Sequence, residues 1–265
     1  MILMSKITIH TAEDFVKMRA AGHLAASVLD YITDYVKPGV TTLELNDLCH
    51  ELIIKNDAIP APLNYRGFPK SICTSINHVI CHGIPDERKL KDGDIINIDV
   101  TVILDGWHGD TSRMYYVGIP SVKAKRLIDV TYEAMMLGIE QVKPGAHIGN
   151  IGHAIETYVS KFGYSSVRDY CGHGVGRIFH TDPNVAHFGK ANTGIVLEPG
   201  MFFTIEPMIN VGSHYTKLNK ADNWTVTTKD RELSAQFEHS LAVTETGYEI
   251  FTLSPKGFTK PPHNN

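Results

Sequence analysis

The chain has 265 residues, 43% hydrophobic and 20% charged, the composition of a packed globular protein, which excludes disorder as its main state. A formal net charge of −4 leaves no basic excess to neutralise phosphates, and no run of 18 apolar residues exists to cross a bilayer, so neither nucleic acid nor membrane is expected as a partner. The opening MILMSKITIH lacks the apolar stretch of a secretory signal, and four well-separated cysteines (Cys49, Cys73, Cys81, Cys171) read as free thiols, so a cytoplasmic protein is expected.

In chain order, Thr11-x-x-Asp14 is a capping-box pattern that opens a helix running to Val36. A second helix, Leu43 to Lys55, places Leu45, Leu48 and Leu52 on one face. Strands follow at Ile72–Ser75, Asp94–Leu104 and Trp107–Gly118, the last two joined by the hairpin turn Asp105-Gly106. Helices return at Ala124 to Val142 and Ile148 to Phe162, the latter with Ile151, Ala154 and Tyr158 aligned. Further strands are expected at Met201–Asn210, Asn223–Thr228, Gln236–Thr244 and Glu249–Thr252, and the Pro-rich tail from Pro255 to Asn265 is expected to be loose.

The order of elements repeats. Val36-Lys37-Pro38-Gly39 recurs as Val142-Lys143-Pro144-Gly145, an offset of 106. Leu90-x-x-Gly93-x-Ile-Ile-x-Ile98-Asp99 recurs as Leu197-x-x-Gly200-x-Phe-Phe-x-Ile205-Glu206, an offset of 107. Two matches at nearly one offset, on the same kinds of element, mark an internal duplication. We therefore expect one domain over 1–265, with pseudo-twofold halves at roughly 9–120 and 121–253.

Strand interiors disfavour carboxylates, and burying one unpaired is costly. Yet Asp99, Glu206 and Glu238 all sit in or at the edge of apolar runs. With a two-residue hairpin turn, Leu104 opposes Trp107 and Thr101 opposes Asp110, so Asp110 joins Asp99 on one face. The repeat makes Glu206 the equivalent of Asp99, and Asp110-x-Ser112 resembles Glu238-x-Ser240. Any one of these acids alone would read as a strand-end surface residue; four placed symmetrically do not. At ~5 Å and an effective dielectric of ~20, each like-charge pair costs roughly 3 kcal/mol. Arg113 is an odd step from Asp110 and faces the other way, which leaves divalent cations or protonation to relieve the repulsion.

Of fourteen histidines, His82, His173 and His180 lie in Gly-rich punctuation that permits close approach of a ligand. His10, His23, His50, His153 and His187 read as surface or core residues without chemistry. Gly172-x-Gly174-x-Gly176 has the wrong spacing for a dinucleotide loop, and neither H-E-x-x-H nor G-x-S-x-G occurs, so zincin and serine-hydrolase readings fall away.

The contexts NIDVT, GDTSRM, CGHGVGRIFH, FTIEPM and SAQFEHS now matter together. Through them the chain resembles the type I, bacterial-type methionine aminopeptidases from about Ile9 to Leu253. The resemblance implies the pita-bread fold, class α/β (α+β): a pseudo-twofold antiparallel sheet with two helix pairs on one face. It implies five metal ligands, Asp99, Asp110, His173, Glu206 and Glu238, holding two divalent ions (Co, Mn, Fe or Zn). Asp110 and Glu238 would bridge them, with Glu206 as proton shuttle. His82 and His180 would hydrogen-bond the peptide, and Tyr65, Phe68, Cys73, Phe179 and Trp224 would line the methionine pocket. A monovalent cation near Asn77, Val79 and Ser234 is implied as well. Pro62 stands where many bacterial members carry Cys, and Phe68 where many carry Tyr.

The implied activity is removal of the N-terminal methionine from nascent chains when the second residue is small and uncharged. The enzyme would be a monomer working near the ribosome after deformylation. No type II insertion and no N-terminal zinc-binding extension is expected. An X-Pro aminopeptidase or prolidase would need an additional N-terminal domain, and a non-enzymatic binding protein of this fold would lack ligands that are all present here.

Overall fold

The computed structural model describes residues 7–263; the reading of residues 1–6 as no signal, and the last two residues of the tail, lie outside the described residues. Both helices of the first half start on reciprocal caps. The Thr11 hydroxyl accepts the Asp14 N–H while the Asp14 carboxylate accepts the Thr11 N–H, opening α1 (Ala12–Ile32). Thr41 and Glu44 do the same for α2 (Thr42–Lys55). Losing such a hydroxyl typically costs about 1 kcal/mol. The helix expected to reach Val36 ends earlier, in a 3₁₀ turn at Thr33–Tyr35.

The first half continues with β1 (Ile59–Pro60), β2 (Cys73–Ile76), β3 (Val79–Cys81), β4 (Ile95–Leu104) and β5 (Trp107–Tyr116). The second opens with α3 (Val122–Ile139) and α4 (Gly149–Ser160), then β6 (Ser165–Ser166), β7 (Gly172–Gly174), β8 (Thr181–Val185), β9 (Phe202–Ile205) and β10 (Met208–Asn210). It closes with β11 (Thr216–Leu218), β12 (Val226–Thr228), β13 (Ser234–Gln236), β14 (Glu238–Val243) and β15 (Tyr248–Ile250). The sequence reading has no counterpart for β1, β3, β6, β7, β8 or β11, each two to five residues long. Such segments are too short for a period-two pattern to show.

One nine-stranded sheet runs β1-β4-β5-β14-β9-β7-β8, with β2 and β15 paired to it. The halves join where β5 meets β14 antiparallel, Glu238 opposite Ser112. Two cores form on one face of this sheet. Leu29, Ile32, Leu45 and Ile53 of α1 and α2 pack with Ile96, Ile98 and Val100. Leu127, Met135, Ile151 and Ile155 of α3 and α4 pack with Phe203, Ile205 and Leu241. Each fully buried Leu, Ile or Phe is worth roughly 1.5–3 kcal/mol. Because side chains alternate, residues 97, 99, 101, 204 and 240 take the other face. The hairpin register is the expected one, Leu104 opposite Trp107 and Thr101 opposite Asp110. Gly109 lets α1 lie directly on that hairpin: a Cβ there would sit 2.2 Å from the Ala21 carbonyl oxygen.

Two strands expected to be continuous are each broken at an acid. Pro207 has no N–H for the ladder, so after Ile205 the chain leaves the large sheet and β10 joins the small sheet β13-β10-β6. Opposite it, the chain passes from β13 through Phe237 into β14 at Glu238. Glu206 and Glu238 therefore stand at the two crossings between sheets.

The tail is a correction to the sequence reading. Arg113, facing the helices as expected, donates to Asp30 at 2.7 Å, both side chains being about 95% buried. The chain after β15 packs onto this pair. Ser254 Oγ donates to both Asp30 oxygens, the Lys256 N–H donates to Asp30 Oδ2, and the Phe258 ring lies under the Arg113 guanidinium. His263 bonds the Met114 carbonyl, and Lys260 pairs with Asp129. A Pro-rich, polar composition suggested looseness, but a buried carboxylate needs donors and the tail provides them. Asp30→Asn should remove roughly 3–5 kcal/mol, by leaving the guanidinium buried without its charge partner. An unchanged urea midpoint would contradict this.

Candidate metal and peptide site

The uncovered face of the sheet, with the loops around it, forms a cavity of about 660 Å³. All twelve residues singled out for the site line it: Asp99, Asp110, His173, Glu206, Glu238, His82, His180, Tyr65, Phe68, Cys73, Phe179 and Trp224. Single ligand atoms of Asp110, His173 and Glu238 lie within 4.8 Å of one another. Asp99 is the β4 neighbour of Ser112 and Cys73, one step along the sheet. Glu206 approaches from β9, its Oε1 3.5 Å from His173 Nε2, and Asp110 Oδ2 is 3.6 Å from the same nitrogen.

The electrostatics of this cluster demand a partner. Burial first, then mutual repulsion, holds the Asp99, Glu206 and Glu238 carboxyls well above their usual range, and burial pushes Asp110 up to about 7. Burial lowers His173 to about 4, so it is a neutral imidazole and not a counter-cation. Its Nδ1 donates to the Gly174 carbonyl at 3.1 Å, which leaves the Nε2 lone pair facing two carboxylates. Arg113 is engaged behind the sheet by Asp30. One imidazole, four carboxylates and no thiolate form an oxygen-rich donor set suited to Mn, Fe or Co at least as well as to Zn. The residues fit divalent metal.

Supports that sequence reasoning missed hold these groups. Thr101 Oγ1 donates to Asp110 Oδ1 at 2.6 Å. Thr204 Oγ1 accepts the His173 N–H and donates to Glu206 Oε1, at 3.0 and 2.8 Å, tying the His173 main chain to the Glu206 carboxylate. Gln236 Nε2 reaches Glu206 Oε2 at 3.3 Å. Alternation could have found all three, because Thr101, Thr204 and Gln236 are each two residues from an acid: Asp99, Glu206 and Glu238. His187, read from sequence as without chemistry, is fully buried and accepts the Glu206 N–H at Nε2, 3.1 Å.

The rest of the cavity is softer. Tyr65 packs on Phe179 at 4.9 Å between centroids, and its hydroxyl meets His180 Nδ1 at 3.0 Å. Phe68 meets Trp224 edge-to-face at 5.2 Å. His82, in a positive-φ position just after β3, stands edge-on to Trp224 and Tyr170, its pKa lowered by burial to about 4. Cys81, Tyr170 and Met208 add apolar wall that the sequence reading did not include, and Pro62 lies on the rim of the same cavity.

The model of the family described as "Metallopeptidase family M24" matches residues 16–245. This chain belongs to metallopeptidase family M24. Among curated members, the methionine aminopeptidase of Rickettsia prowazekii is 66% identical over 257 residues, covering 97% of this chain and 99% of that protein. The methionine aminopeptidase of Escherichia coli is 55% identical over 249 residues, covering 93% of this chain and 94% of its own. The crystal structure of the Thermotoga maritima methionine aminopeptidase, 37% identical, superposes with a TM-score of 0.91 over 93% of this chain and 99% of that one. The M24 pita-bread architecture expected from the sequence is thus the architecture found, and an M24 metallopeptidase is a hydrolase that depends on divalent metal. A prolidase from Pyrococcus furiosus, 21% identical with a TM-score of 0.74, shares the fold alone. Among the described residues no helix is long and apolar enough to cross a membrane.

Proposed function

We propose that this single-domain enzyme is a methionine aminopeptidase in which Asp99, Asp110, His173, Glu206 and Glu238 would hold two divalent ions, Asp110 and Glu238 contributing to both. The observation that carries the reading is a set of four converging carboxylates without a cationic partner among the described residues: the neutral His173 meets Asp110 and Glu206, and Asp99 and Glu238 have no ion-pair partner there. When bound, the metals supply Lewis acidity towards the scissile carbonyl and a water of lowered pKa.

The chain's own groups do the rest. Glu206 accepts the proton released in attack and returns it to the departing amine. Thr204 and Gln236 hold one oxygen each, so the carboxylate has one orientation for both transfers. Tyr65 engages Nδ1 of His180 and leaves Nε2 for the peptide, while His82 donates from the opposite loop. Both histidines would stabilise charge developing on the carbonyl oxygen. His82→Ala and His180→Ala should each lower kcat about 10²–10³-fold while metal content stays at the wild-type level. Metal loss in either variant would make that histidine a ligand.

The pocket of Tyr65, Phe68, Cys73, Phe179 and Trp224 suits a flexible thioether, which gains roughly 0.3–1.5 kcal/mol against an aromatic ring. The substrate is thus a chain with free N-terminal methionine and a small, uncharged second residue: a nascent polypeptide in the cytoplasm, after removal of the formyl group that would block its amine. The enzyme would work as a monomer, and the carbonyls of Asn77, Val79 and Ser234 would hold a monovalent cation, beside a Ser234 hydroxyl that is buried without a partner among the described residues. The test is kcat/KM for Met-Ala-Ser, Leu-Ala-Ser and Met-Lys-Ser. Met-Ala-Ser should exceed Leu-Ala-Ser by ~10–200-fold, and equal values across the three would sink the pocket assignment.

A further inference from the structure

We propose that His187 is a positioning residue for Glu206, acting through an imidazole nitrogen that accepts the Glu206 main-chain N–H. The inference rests on the functional reading of Glu206 given above.

At Glu206 the chain leaves one sheet for another, and its ladder partners end. The last pair with β14 is Ile205 with His239, and the pair recorded with β7 is Gly174 with Phe203. Pro207 has no N–H, so the donor at this crossing is Glu206 N–H alone. A side chain meets it: His187 Nε2 at 3.1 Å, from the segment just beyond β8. The ring is fully buried. A backbone N–H can be accepted only by a nitrogen that carries a lone pair, which places the ring proton on Nδ1. His187 thus stands in for the strand that is missing at this point.

Its action is on direction. Thr204 and Gln236 fix the carboxylate end of Glu206, and His187 fixes the main-chain end, so the side chain is held at both. Supports one step removed from a metal ligand typically matter 10–100-fold in metal affinity or activity.

The experiment compares His187→Leu with His187→Gln in the full chain. Leu fills space without an acceptor, whereas the Gln amide oxygen can take the place of Nε2. Metal-stripped protein is titrated calorimetrically with Mn²⁺, and Met-Ala-Ser turnover is measured separately. We expect His187→Leu to weaken Mn²⁺ binding and lower kcat, each about 10–100-fold, with KM little changed, and His187→Gln to restore most of both. Wild-type Mn²⁺ affinity in His187→Leu would overturn the proposal, as would equal losses in the two variants at equal thermal stability. Should His187→Leu fail to fold, His187→Gln decides: retained affinity supports the role and lost affinity refutes it. A wild-type protein that binds Mn²⁺ but does not cleave Met-Ala-Ser would refute the functional reading instead, and the titration would still test His187.

Discussion

Asp110→Asn and Glu238→Gln should each abolish binding of a full metal complement and lower kcat/KM by roughly 10³-fold or more, several kcal/mol of transition-state stabilisation. The reason is geometric as well as electrostatic. Both residues lie where β5 meets β14, at the join of the two halves. Thr111 Oγ1 donates to the Glu238 carbonyl, and Ser240 Oγ donates to the Asp110 carbonyl, each at 2.7 Å. The main chain of each acid is thereby fixed from the other half, and the Asp110 carboxylate is held further by Thr101. An amide presents one acceptor and a donor where two anionic oxygens are needed. Unchanged metal content and rate in either variant would refute the proposed bridging role of the residue it replaces.

Removing the metal should stop turnover and leave a protein whose stability falls as pH rises through the folded values of the site carboxyls. In the metal-free chain the Asp99, Glu206 and Glu238 carboxyls sit well above their usual range, burial being the first cause. Their folded values exceed the unfolded values near 4. The folded protein therefore holds protons that the unfolded chain has released, and this stabilising contribution is lost as pH rises through the folded values. Buried histidines act in the opposite sense, since His173, His187 and His239 are lowered, but above pH 7 they are neutral in both states. The buried thiols of Cys49, Cys73 and Cys81, raised by burial, act in the same sense as the carboxyls, so the carboxyls' share is the part of the slope that metal removes. Mn²⁺ at 100 times its dissociation constant should add about 2.7 kcal/mol and flatten the dependence. Thermal melts at pH 7.0 and 8.5, with and without Mn²⁺, decide it; identical slopes would show that the carboxyls are not the origin.

The hairpin of β4 and β5 was fully legible, because Asp105-Gly106 permits only a tight turn and the turn sets the register of every residue behind it. That register alone brings Asp99 and Asp110 together. The duplication extended the argument to Glu206 and Glu238, as did the alternation that turned Arg113 away. What the residues could not supply was the choice among histidines. His82, His173 and His180 share the same glycine-rich surroundings, and only family resemblance separated the implied ligand from the two peptide-facing rings. Crossings between sheets were invisible because apolar runs through Glu206 and Glu238 look continuous, although Pro207 was a cue for the first. His187 escaped for a deeper reason: its partner is a main-chain N–H, and no side-chain pattern advertises one.

The docked tail has a consequence for the order in which the protein can be completed. Asp30 belongs to the first helix, yet three of its hydrogen bonds come from Ser254 and Lys256, more than 220 residues later. During synthesis from the N-terminus, α1 can fold on the β4–β5 hairpin and bring Asp30 to Arg113 long before those donors exist. The carboxylate then waits, half-satisfied, until residues 254–256 have emerged from the translating machinery. A fusion or truncation that displaces residues 254–263 would be felt first in the N-terminal helix, at the opposite end of the sequence from the change.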